Sequence, residues 1–277
     1  MPTTAEKRTT FRELHQSGCF VIPNPWDVGS ARYLQHLGFK ALASTSGGFA
    51  FSQGRPDNGV PREVVLAHLR ALAEASDLPL NADFESGFAS DPDGVSESVR
   101  LCVETGVSGL SIEDSTGDRA NPLFEIDVAV ARITAARKAI DKAGGDVMLT
   151  GRAECFIAGV PDLEEAIKRL RAYANAGADC LYAPGIRTRE QIEAVVEAVA
   201  PLPVNVLVGS ASEFSVADLA GFGARRISVG AGLAMVAWDS FMKAAATLAE
   251  GSFDGLLHGR PVANLNTLFA ESDGKLP

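Results

Sequence analysis

The feature that most constrains the fold of this chain is a glycine that recurs between a helical pattern and an apolar run. The four copies are Gly38, Gly106, Gly177 and Gly223. Glycine is favoured just past the end of a helix because the chain turns there with a positive φ angle. Each copy therefore predicts a short connection from a helix into a strand.

These connections belong to a longer alternation of predicted strands and helices. We count eight such units in the 277 residues, with no obvious linker between them. Alternation of this kind means parallel strands, and eight units predict a single (β/α)8 barrel of the TIM type. The alternative is an open doubly wound sheet. No Gly-x-Gly-x-x-Gly motif follows the first strand, which weakens the dinucleotide-binding version of that alternative. We expect one barrel domain over residues 1–277, with a helical tail from about residue 250.

Composition excludes several classes of partner. The chain has 25 Lys and Arg against 35 Asp and Glu, a net charge of −10, which argues against non-specific binding to nucleic acid or an anionic membrane. We find no apolar run near the ~20 residues of a membrane span and no apolar signal core at the polar N-terminus. The four cysteines lack metal-knuckle or Cys-x-x-Cys spacing. We therefore expect a reduced, cytoplasmic protein.

Two carboxylates stand where the third predicted strand ends. Asp83 and Glu85 are two residues apart, so in an extended strand they project the same way. Two nearby acids repel each other unless something positive lies between them, and Mg2+ prefers carboxylate and water oxygens as ligands. The stretch predicts a cation site, with a solvated acidic loop as the alternative.

The other predicted strand ends are also polar. Functional residues of (β/α)8 barrels cluster at the carboxyl ends of the strands. Those ends carry acids, amides, small residues and one arginine: Asn24, Ser46, Gly47, Gly48, Asp83, Glu85, Glu113, Asp114, Arg152, Glu154, Tyr182, Asn205 and Gly230. An arginine beside a cation site could clamp a substrate carboxylate. The small-residue turn at 46–48 exposes backbone N–H groups that suit an anion, unless it is an ordinary glycine turn.

Other reactive side chains give weaker signals. No histidine is predicted at the carboxyl-end face, so a histidine base or a His-ligated zinc is not expected. Cys155 could be a nucleophile, although a lone cysteine after a strand is more often a small buried residue. Tyr182 could act as an acid, orient the substrate, or only pack. The four histidines are His15, His36, His68 and His258.

Five motifs, in order from about residue 11 to residue 250, resemble the isocitrate lyase/phosphoenolpyruvate mutase superfamily. They are Ser46-Gly47-Gly48, the loop with Asp57, Asp83-Phe84-Glu85-Ser86-Gly87-Phe88, Ile112-Glu113-Asp114 and Gly151-Arg152-Ala153-Glu154-Cys155-Phe156-Ile157-Ala158-Gly159. Known members are Mg2+-dependent barrels that form or break C–C or P–C bonds in 2-oxo acids or their relatives.

The resemblance implies roles for these residues. Asp83 and Glu85 would hold Mg2+ (or Mn2+), with Glu85 standing where the family usually has Asp, and Glu113 would support the metal through water. Ser46 and Gly47, with Gly48 beside them, resemble the carboxylate-binding turn. Arg152 resembles the substrate arginine, Asp57 matches a loop aspartate near the substrate, and Tyr182 and Asn205 are further candidates for substrate contact.

The resemblance also implies an assembly. Family members form tetramers in which the last barrel helix is exchanged between subunits. Here the stretch 233–248 is long and apolar and contains Trp238. We therefore expect a homotetramer, a dimer of helix-swapped dimers; the alternative is a helix that closes its own barrel.

The loop after the fourth strand departs from the family pattern. The lyases carry Lys-Lys-Cys-Gly-His there, whereas this chain reads Ser115-Thr116-Gly117-Asp118-Arg119-Ala120-Asn121-Pro122. The lysine of the mutase is also absent, and Ala183-Pro184 stands where the mutase has its histidine. Neither standard isocitrate lyase chemistry nor phosphoryl mutation is expected. We expect the loop at 115–124 to be irregular and to close over the site, with Arg119 as its contact to an anionic substrate or simply solvated.

The sequence thus predicts a Mg2+-dependent enzyme that cleaves or forms a C–C (or P–C) bond in a small 2-oxo acid or related carboxylate, through a metal-stabilised enolate. The reaction would be of the lyase, decarboxylase or hydrolase type, with Asp57, Arg152 and Arg119 as catalytic candidates. One alternative is a protein of the same fold that binds a 2-oxo acid with little turnover. Another is a phosphate-binding barrel, based on Gly209 and Gly230 after the last two strands.

Overall fold

Eight parallel strands form the centre of the structure. The structure, a computed structural model, describes residues 2–256 and 264–272, and the other parts of the predicted tail lie outside these residues. The strands are β1 (Phe20–Ile22), β2 (Leu42–Ala43), β3 (Leu80–Asp83), β4 (Gly109–Glu113), β5 (Met148–Arg152), β6 (Cys180–Tyr182), β7 (Val204–Leu207) and β8 (Arg226–Ser228).

Helices alternate with these strands along the chain. They are α1 (Thr4–Leu14), α2 (Val28–His36), α3 (Ser46–Ser52), α4 (Arg62–Ala75), α5 (Pro92–Val103), α6 (Ile126–Lys142), α7 (Leu163–Asn175), α8 (Arg189–Val199), α9 (Val216–Gly221), α10 (Gly232–Ala249) and α11 (Leu265–Ser272).

The strands curl into a nearly closed barrel. Their order is β1-β8-β7-β6-β5-β4-β3-β2, and the Ala43 N–H donates to the Pro23 carbonyl at 3.0 Å between the two end strands. Asn24 reinforces this junction, because its Nδ2 donates to the Ser44 carbonyl at 2.8 Å and its Oδ1 accepts the Gly230 N–H at 2.9 Å. The predicted (β/α)8 barrel is confirmed, and the open doubly wound sheet is wrong.

The recurring glycines have the geometry that their positions predict. Gly38, Gly106, Gly177 and Gly223 have φ angles of +84°, +91°, +101° and +95°. This left-handed backbone region is costly for residues with a Cβ atom. The same local signal therefore ends four helices and begins four connections into the barrel.

The stretch that follows β2 differs from the sequence prediction. The sequence predicts a small-residue turn at 46–48, but Ser46–Ser52 form the short helix α3. The Thr45 hydroxyl accepts the Gly48 N–H at 3.2 Å and so caps this helix. The pattern was hard to recognise because a seven-residue helix is too short to display a periodic apolar face.

Helix α1 closes the amino-terminal end of the barrel. Phe11 is fully buried there and packs with Ile22 and Met148. Above this apolar layer the Arg226 Nε donates to Asn205 Oδ1 at 2.8 Å. His15 lies beside Arg226, and burial together with that positive charge lowers the pKa of His15 to about 3. The floor of the barrel thus combines an apolar plug with a polar layer.

Helix α10 leaves most of its apolar surface uncovered. Ala234 is its single buried residue, whereas Val236, Phe241 and Met242 are 65%, 61% and 52% exposed. Helix α11 does pack on the barrel, and Phe269 lies close to Gly29 of α2. None of the described helices, α10 included, has the length and hydrophobicity to cross a bilayer. The apolar surface of α10 is therefore not covered by its own barrel.

Because α1 packs closely on the strands, one additional methyl group at Gly109 should destabilise the fold. A Cβ atom at Gly109 would lie 2.6 Å from the Phe11 ring and 2.7 Å from Asn81 Oδ1. Gly109→Ala should lower the free energy of unfolding by about 1–3 kcal/mol, because overpacking forces neighbours to shift. Gly221→Ala is the control, since nothing lies within 4 Å of its Cβ position. Denaturant unfolding measures the free energy of unfolding of both variants. Equal values for Gly109→Ala and Gly221→Ala would mean that α1 packs loosely.

Candidate active site

Arg152 lies at the centre of a cluster of acids at the carboxyl end of the barrel. Its Nη1 contacts Asp83 Oδ1 at 2.6 Å, its Nη2 contacts Glu113 Oε2 at 3.0 Å, and its Nε contacts Glu154 Oε1 at 2.9 Å. The guanidinium also lies 5.1 Å from the centre of the Tyr182 ring. The strand register brings these groups together, because Glu113, Arg152 and Tyr182 are paired across β4, β5 and β6.

The amino terminus of α3 supplies the next contacts. The second oxygen of Asp83 accepts the Ser46 N–H at 2.9 Å and the Ser46 hydroxyl at 3.0 Å. Asp57 lies against Gly47, where a Cβ atom would be 3.2 Å from Asp57 Oδ2. Glycine at this position therefore lets Asp57 approach closely. Burial and the nearby Asp83 raise the pKa of Asp57 above its ordinary value.

The cluster contains more carboxyl groups than cationic groups. Glu85, buried and held at a φ of +49°, has its pKa raised to about 8 by burial and by the charges of Asp83 and Asp57. Burial also raises the pKa of Glu113 and Glu154, and Arg152 opposes this rise. Three carboxyl groups thus contact one guanidinium, and those of Asp57 and Glu85 lie near enough to interact with Asp83.

A cavity of about 210 Å³ opens beside this cluster. Nine of the residues predicted from sequence line it: Asn24, Ser46, Gly47, Asp57, Asp83, Arg152, Tyr182, Asn205 and Gly230. Six others do not: Gly48, Glu85, Glu113, Asp114, Arg119 and Glu154. We call this space the central cavity. The structure therefore brings most of the predicted site to one place.

Two glycines have backbone amides that are already bonded. The Gly48 N–H donates to Thr45 Oγ1, and a Cβ atom at this position would lie 2.6 Å from Thr45 Cγ2. Glycine at position 48 therefore permits close packing, and its place in an anion-binding turn stays a prediction. The Gly230 N–H donates to Asn24, so this amide does not offer the phosphate contact of the alternative prediction.

Sequence reasoning missed part of the cavity wall. Asn81 and Arg226 line the deeper end, where Arg226 Nη2 donates to Thr150 Oγ1 at 3.1 Å. Asn81 could have been found, because it lies two residues before Asp83 and alternate strand residues share a face. Arg226 could not, since nothing local distinguishes it from its neighbour Arg225.

Asp114 has a structural role that its sequence position does not reveal. Its carboxylate contacts Arg169 Nη1 at 3.0 Å and accepts the Tyr173 hydroxyl. It also accepts the Glu154 N–H at 2.8 Å. This acid, adjacent to Glu113, therefore fixes α7 and the end of β5 rather than facing the central cavity.

The loop at 115–124 is more regular than expected. Ser115 and Leu123 form an antiparallel bridge, and the Thr116 N–H donates to the Pro122 carbonyl at 3.0 Å. Arg132 lies over the Phe124 ring at 4.1 Å and holds the base of the loop. Arg119 is exposed at the other end and does not line the central cavity.

The donor chemistry suits a hard cation, although the side chains are arranged around the arginine. In residues 2–256 and 264–272, no three His, Cys, Asp or Glu side chains converge as a metal site. The acids of the cluster offer carboxylate oxygens without nitrogen or sulfur, which is the donor set that Mg2+ and Mn2+ take. Their excess negative charge also fits a divalent cation.

The described histidines and Cys155 take no part in the contacts of the Arg152 cluster. His15 lies at the barrel floor, His36 and His68 lie on α2 and α4, and His258 falls outside the described residues. Cys155 is fully buried, and burial raises the pKa of its thiol to about 11. A thiolate nucleophile at Cys155 is therefore disfavoured.

Comparison with known proteins gives a consistent family assignment. Residues 11–249 match the family model described as phosphoenolpyruvate phosphomutase. The oxaloacetate decarboxylase of Paraburkholderia xenovorans (strain LB400) is 31% identical over 235 residues, which cover 82% of this chain and 75% of the relative.

Solved structures agree. A protein of Burkholderia cenocepacia J2315, provisionally described as a lyase or mutase, superposes with a TM-score of 0.91 at 43% identity and covers 96% of each chain. Oxaloacetate acetylhydrolase in complex with the product oxalate superposes with a TM-score of 0.85 at 26% identity, covering 98% of this chain and 96% of that one.

Removing the ion pairs of Arg152 in the variant Arg152→Met should cause a loss of stability that depends on pH. Arg152→Met leaves three carboxylates, two of them buried, without their cation, which should cost about 3–5 kcal/mol at pH 8. The pKa of Glu113 and Glu154 would rise further, so the folded state would bind more protons than the unfolded state, and stability would fall as pH increases. The loss should therefore be smaller at pH 5.

Thermal and denaturant unfolding at the two pH values measure this difference. Arg70→Met, which removes an exposed arginine of α4, is the matched control and should change little. An equal loss for Arg152→Met at both pH values would show that packing, not charge pairing, is the main contribution of Arg152.

Proposed function

Because the chain belongs to the phosphoenolpyruvate phosphomutase family, we propose that it is a divalent-metal-dependent enzyme that cleaves or forms a carbon–carbon bond in a small 2-oxo acid or related carboxylate. The observation that carries the proposal is the group of three carboxylates that contact Arg152, which lies with Asp57 at the edge of the central cavity. The oxaloacetate decarboxylase and oxaloacetate acetylhydrolase relatives support this substrate class.

Asp83, Glu85 and Glu113 would hold the cation, Mg2+ or alternatively Mn2+. When bound, it supplies a Lewis acid that polarises the 2-oxo group and stabilises the negative charge that develops as the bond breaks. The excess of carboxylates over guanidinium groups favours such a site, because a second positive charge reduces the mutual repulsion of the acids.

Arg152 would bind the substrate carboxylate. Its guanidinium now holds three protein carboxylates, and a cation that took over those acids would leave its N–H groups free for a bidentate contact. The Ser46 N–H and hydroxyl, which now bond Asp83, would complete the contact. Tyr182, against the face of Arg152, would keep the guanidinium oriented.

Asp57 would hold or move a proton beside the substrate. Burial and Asp83 raise its pKa, and a carboxyl group with a raised pKa exchanges protons more readily near neutral pH. Asn205 would shape the wall, because its amide is bonded to Ser228 and Arg226. The loop at 115–124 would close over the cavity and exclude water, with Arg119 contributing positive charge.

We also propose that the protein assembles through α10. The exposed apolar residues of this helix are unfavourable in water, and the same helix of a second copy carries the same surface. Exchange of α10 between two barrels would bury both surfaces, and two such dimers would form a homotetramer.

Calorimetry of oxamate, an unreactive analogue of a 2-oxo acid, tests the site. Oxamate should bind only with Mg2+ present, and Asp83→Asn should abolish this binding because it removes a ligand charge. Arg119→Ala should weaken it at least tenfold, roughly 1.4 kcal/mol, while changing stability by no more than about 0.5 kcal/mol.

Asp93→Asn, an exposed acid in the first turn of α5, is the matched control. Unchanged Mg2+-dependent affinity in Asp83→Asn would reject the metal site. Single-turnover mass spectrometry with a panel of 2-oxo acids then distinguishes an enzyme from a binding protein, since binding without product from any of them would contradict the catalytic proposal.

Light scattering tests the assembly. The measured mass should be about four times the 29.0 kDa of one chain. Val236→Glu combined with Phe241→Glu should dissociate the assembly, because it places charge on the exposed apolar face of α10. Lys243→Glu, on the same helix but at an already charged position, is the control. A stable monomer of the parent at micromolar concentration would refute the proposal.

A further inference from the structure

Arg226 is a buried cation that has no acid beside it. It is 3% exposed, and in residues 2–256 and 264–272 no Asp or Glu oxygen lies within 4.0 Å of its guanidinium nitrogens. Arg152 and Arg169, by contrast, contact acids. Arg132 donates to three backbone carbonyls instead and does not line the central cavity. Arg226 does line that cavity, so a ligand can reach its charge.

The hydrogen-bond partners of Arg226 are all uncharged. Its Nε donates to Asn205 Oδ1 at 2.8 Å, and its Nη2 donates to Thr150 Oγ1 at 3.1 Å. Its Nη1 has longer contacts, 3.5 Å to Asn81 Oδ1 and 3.4 Å to His15 Nε2. Burial and the charge of Arg226 lower the pKa of His15 to about 3, so this ring is neutral at pH 7. These bonds orient the guanidinium but do not balance its charge.

Donors remain unused around this guanidinium. Arg226 carries five N–H groups, and within the described part of the chain it makes only the four bonds given above. The Nδ2 groups of Asn81 and Asn205 make one hydrogen bond each to the same part of the chain, which leaves one N–H of each amide without an acceptor there. All three side chains line the central cavity. Spare N–H donors beside a positive charge suit an anion.

The unpaired charge lies below the Arg152 cluster. Arg226 bonds to Thr150, and Thr150 and Arg152 are two residues apart on β5, which places them on the same face about 7 Å from each other. The charged residues that line the central cavity are Asp57, Asp83, Arg152 and Arg226. Asp83 contacts Arg152, and Asp57 interacts with both of them. The deep end of the cavity therefore keeps a positive charge that the acids above it do not pair.

Burying a charge without a partner is unfavourable, because the protein interior solvates an ion poorly. We propose that the deep end of the central cavity is a binding site for a small monovalent anion, of the chloride type, which Arg226 and the amides of Asn81 and Asn205 hold. A carboxylate group of a ligand has the same charge and is the second source that the test distinguishes. The site is independent of the proposed function, since a halide needs neither a divalent cation nor a substrate to bind there.

Bromide tests the site in the unaltered protein. It replaces chloride in such sites, and its anomalous scattering identifies it in a crystal. Crystals soaked in sodium bromide, without Mg2+ and without substrate, should show an anomalous peak in contact with the guanidinium of Arg226. Peaks at the protein surface with none at Arg226 would overturn the proposal, whether or not any variant folds.

Denaturant unfolding tests the same site in solution. Chloride replaces the bulkier anion gluconate at constant ionic strength, so that only the identity of the anion changes. A ligand that binds the folded state alone should raise the ratio of folded to unfolded protein about tenfold when its concentration reaches ten times its Kd. Arg226→Met should remove this dependence on chloride, and Arg226→Lys, which keeps the charge, should retain part of it.

Arg225→Met is the matched control. Arg225 is the neighbouring arginine, donates to the Gly18 carbonyl and does not line the central cavity. This variant should depend on chloride as the parent does. The same dependence in Arg226→Met would overturn the proposal, because the anion would then bind elsewhere.

Malonate, a small dicarboxylate, distinguishes the two sources of negative charge. If the bromide peak at Arg226 persists in crystals that also contain malonate, the site takes a free anion. A malonate carboxylate in place of the bromide would support the anion site and assign it to a group of the ligand. If oxamate fails to bind with Mg2+, the proposed function fails, whereas bromide at Arg226 would still establish the anion site.

Discussion

The ion-pair cluster of Arg152 is the constraint on which the carboxyl end of the barrel depends. A guanidinium this well buried is stable only when its charge is paired, and Asp83, Glu113 and Glu154 provide that pairing. Three strands must keep their register for these contacts to form. Asp57 and Glu85 add two more carboxyl groups near this cluster.

A second arginine, Arg132, holds the chain around this cluster. Arg132 is almost fully buried and donates to the backbone carbonyls of Ser86, Ala89 and Ser90, in the loop that follows β3. It also lies over the ring of Phe124, at the base of the loop after β4. One side chain thus connects the segment that carries the acids with the segment that would cover them.

The barrel floor and the outer helix α10 differ in how their apolar residues are covered. At the floor, Phe11 excludes water and Arg226 bonds to the neutral side chains of Asn205 and Thr150. On the outside, α10 presents apolar residues that its own barrel does not cover. The floor is therefore closed within one chain, whereas the apolar surface of α10 stays exposed.

The sequence by itself determined the features that depend on local signals. Glycines marked the αβ connections, where φ is positive, alternation predicted the parallel barrel, and polar strand ends located Asp83, Arg152 and part of the cavity wall. Tertiary structure alone decided which carboxylates pair with Arg152, that Asp114 pairs with Arg169 instead, and that Gly48 packs against Thr45. The physical reason is that periodicity and helix capping act within a few residues, whereas ion pairing and cavity shape depend on distances between strands and loops far apart in the chain.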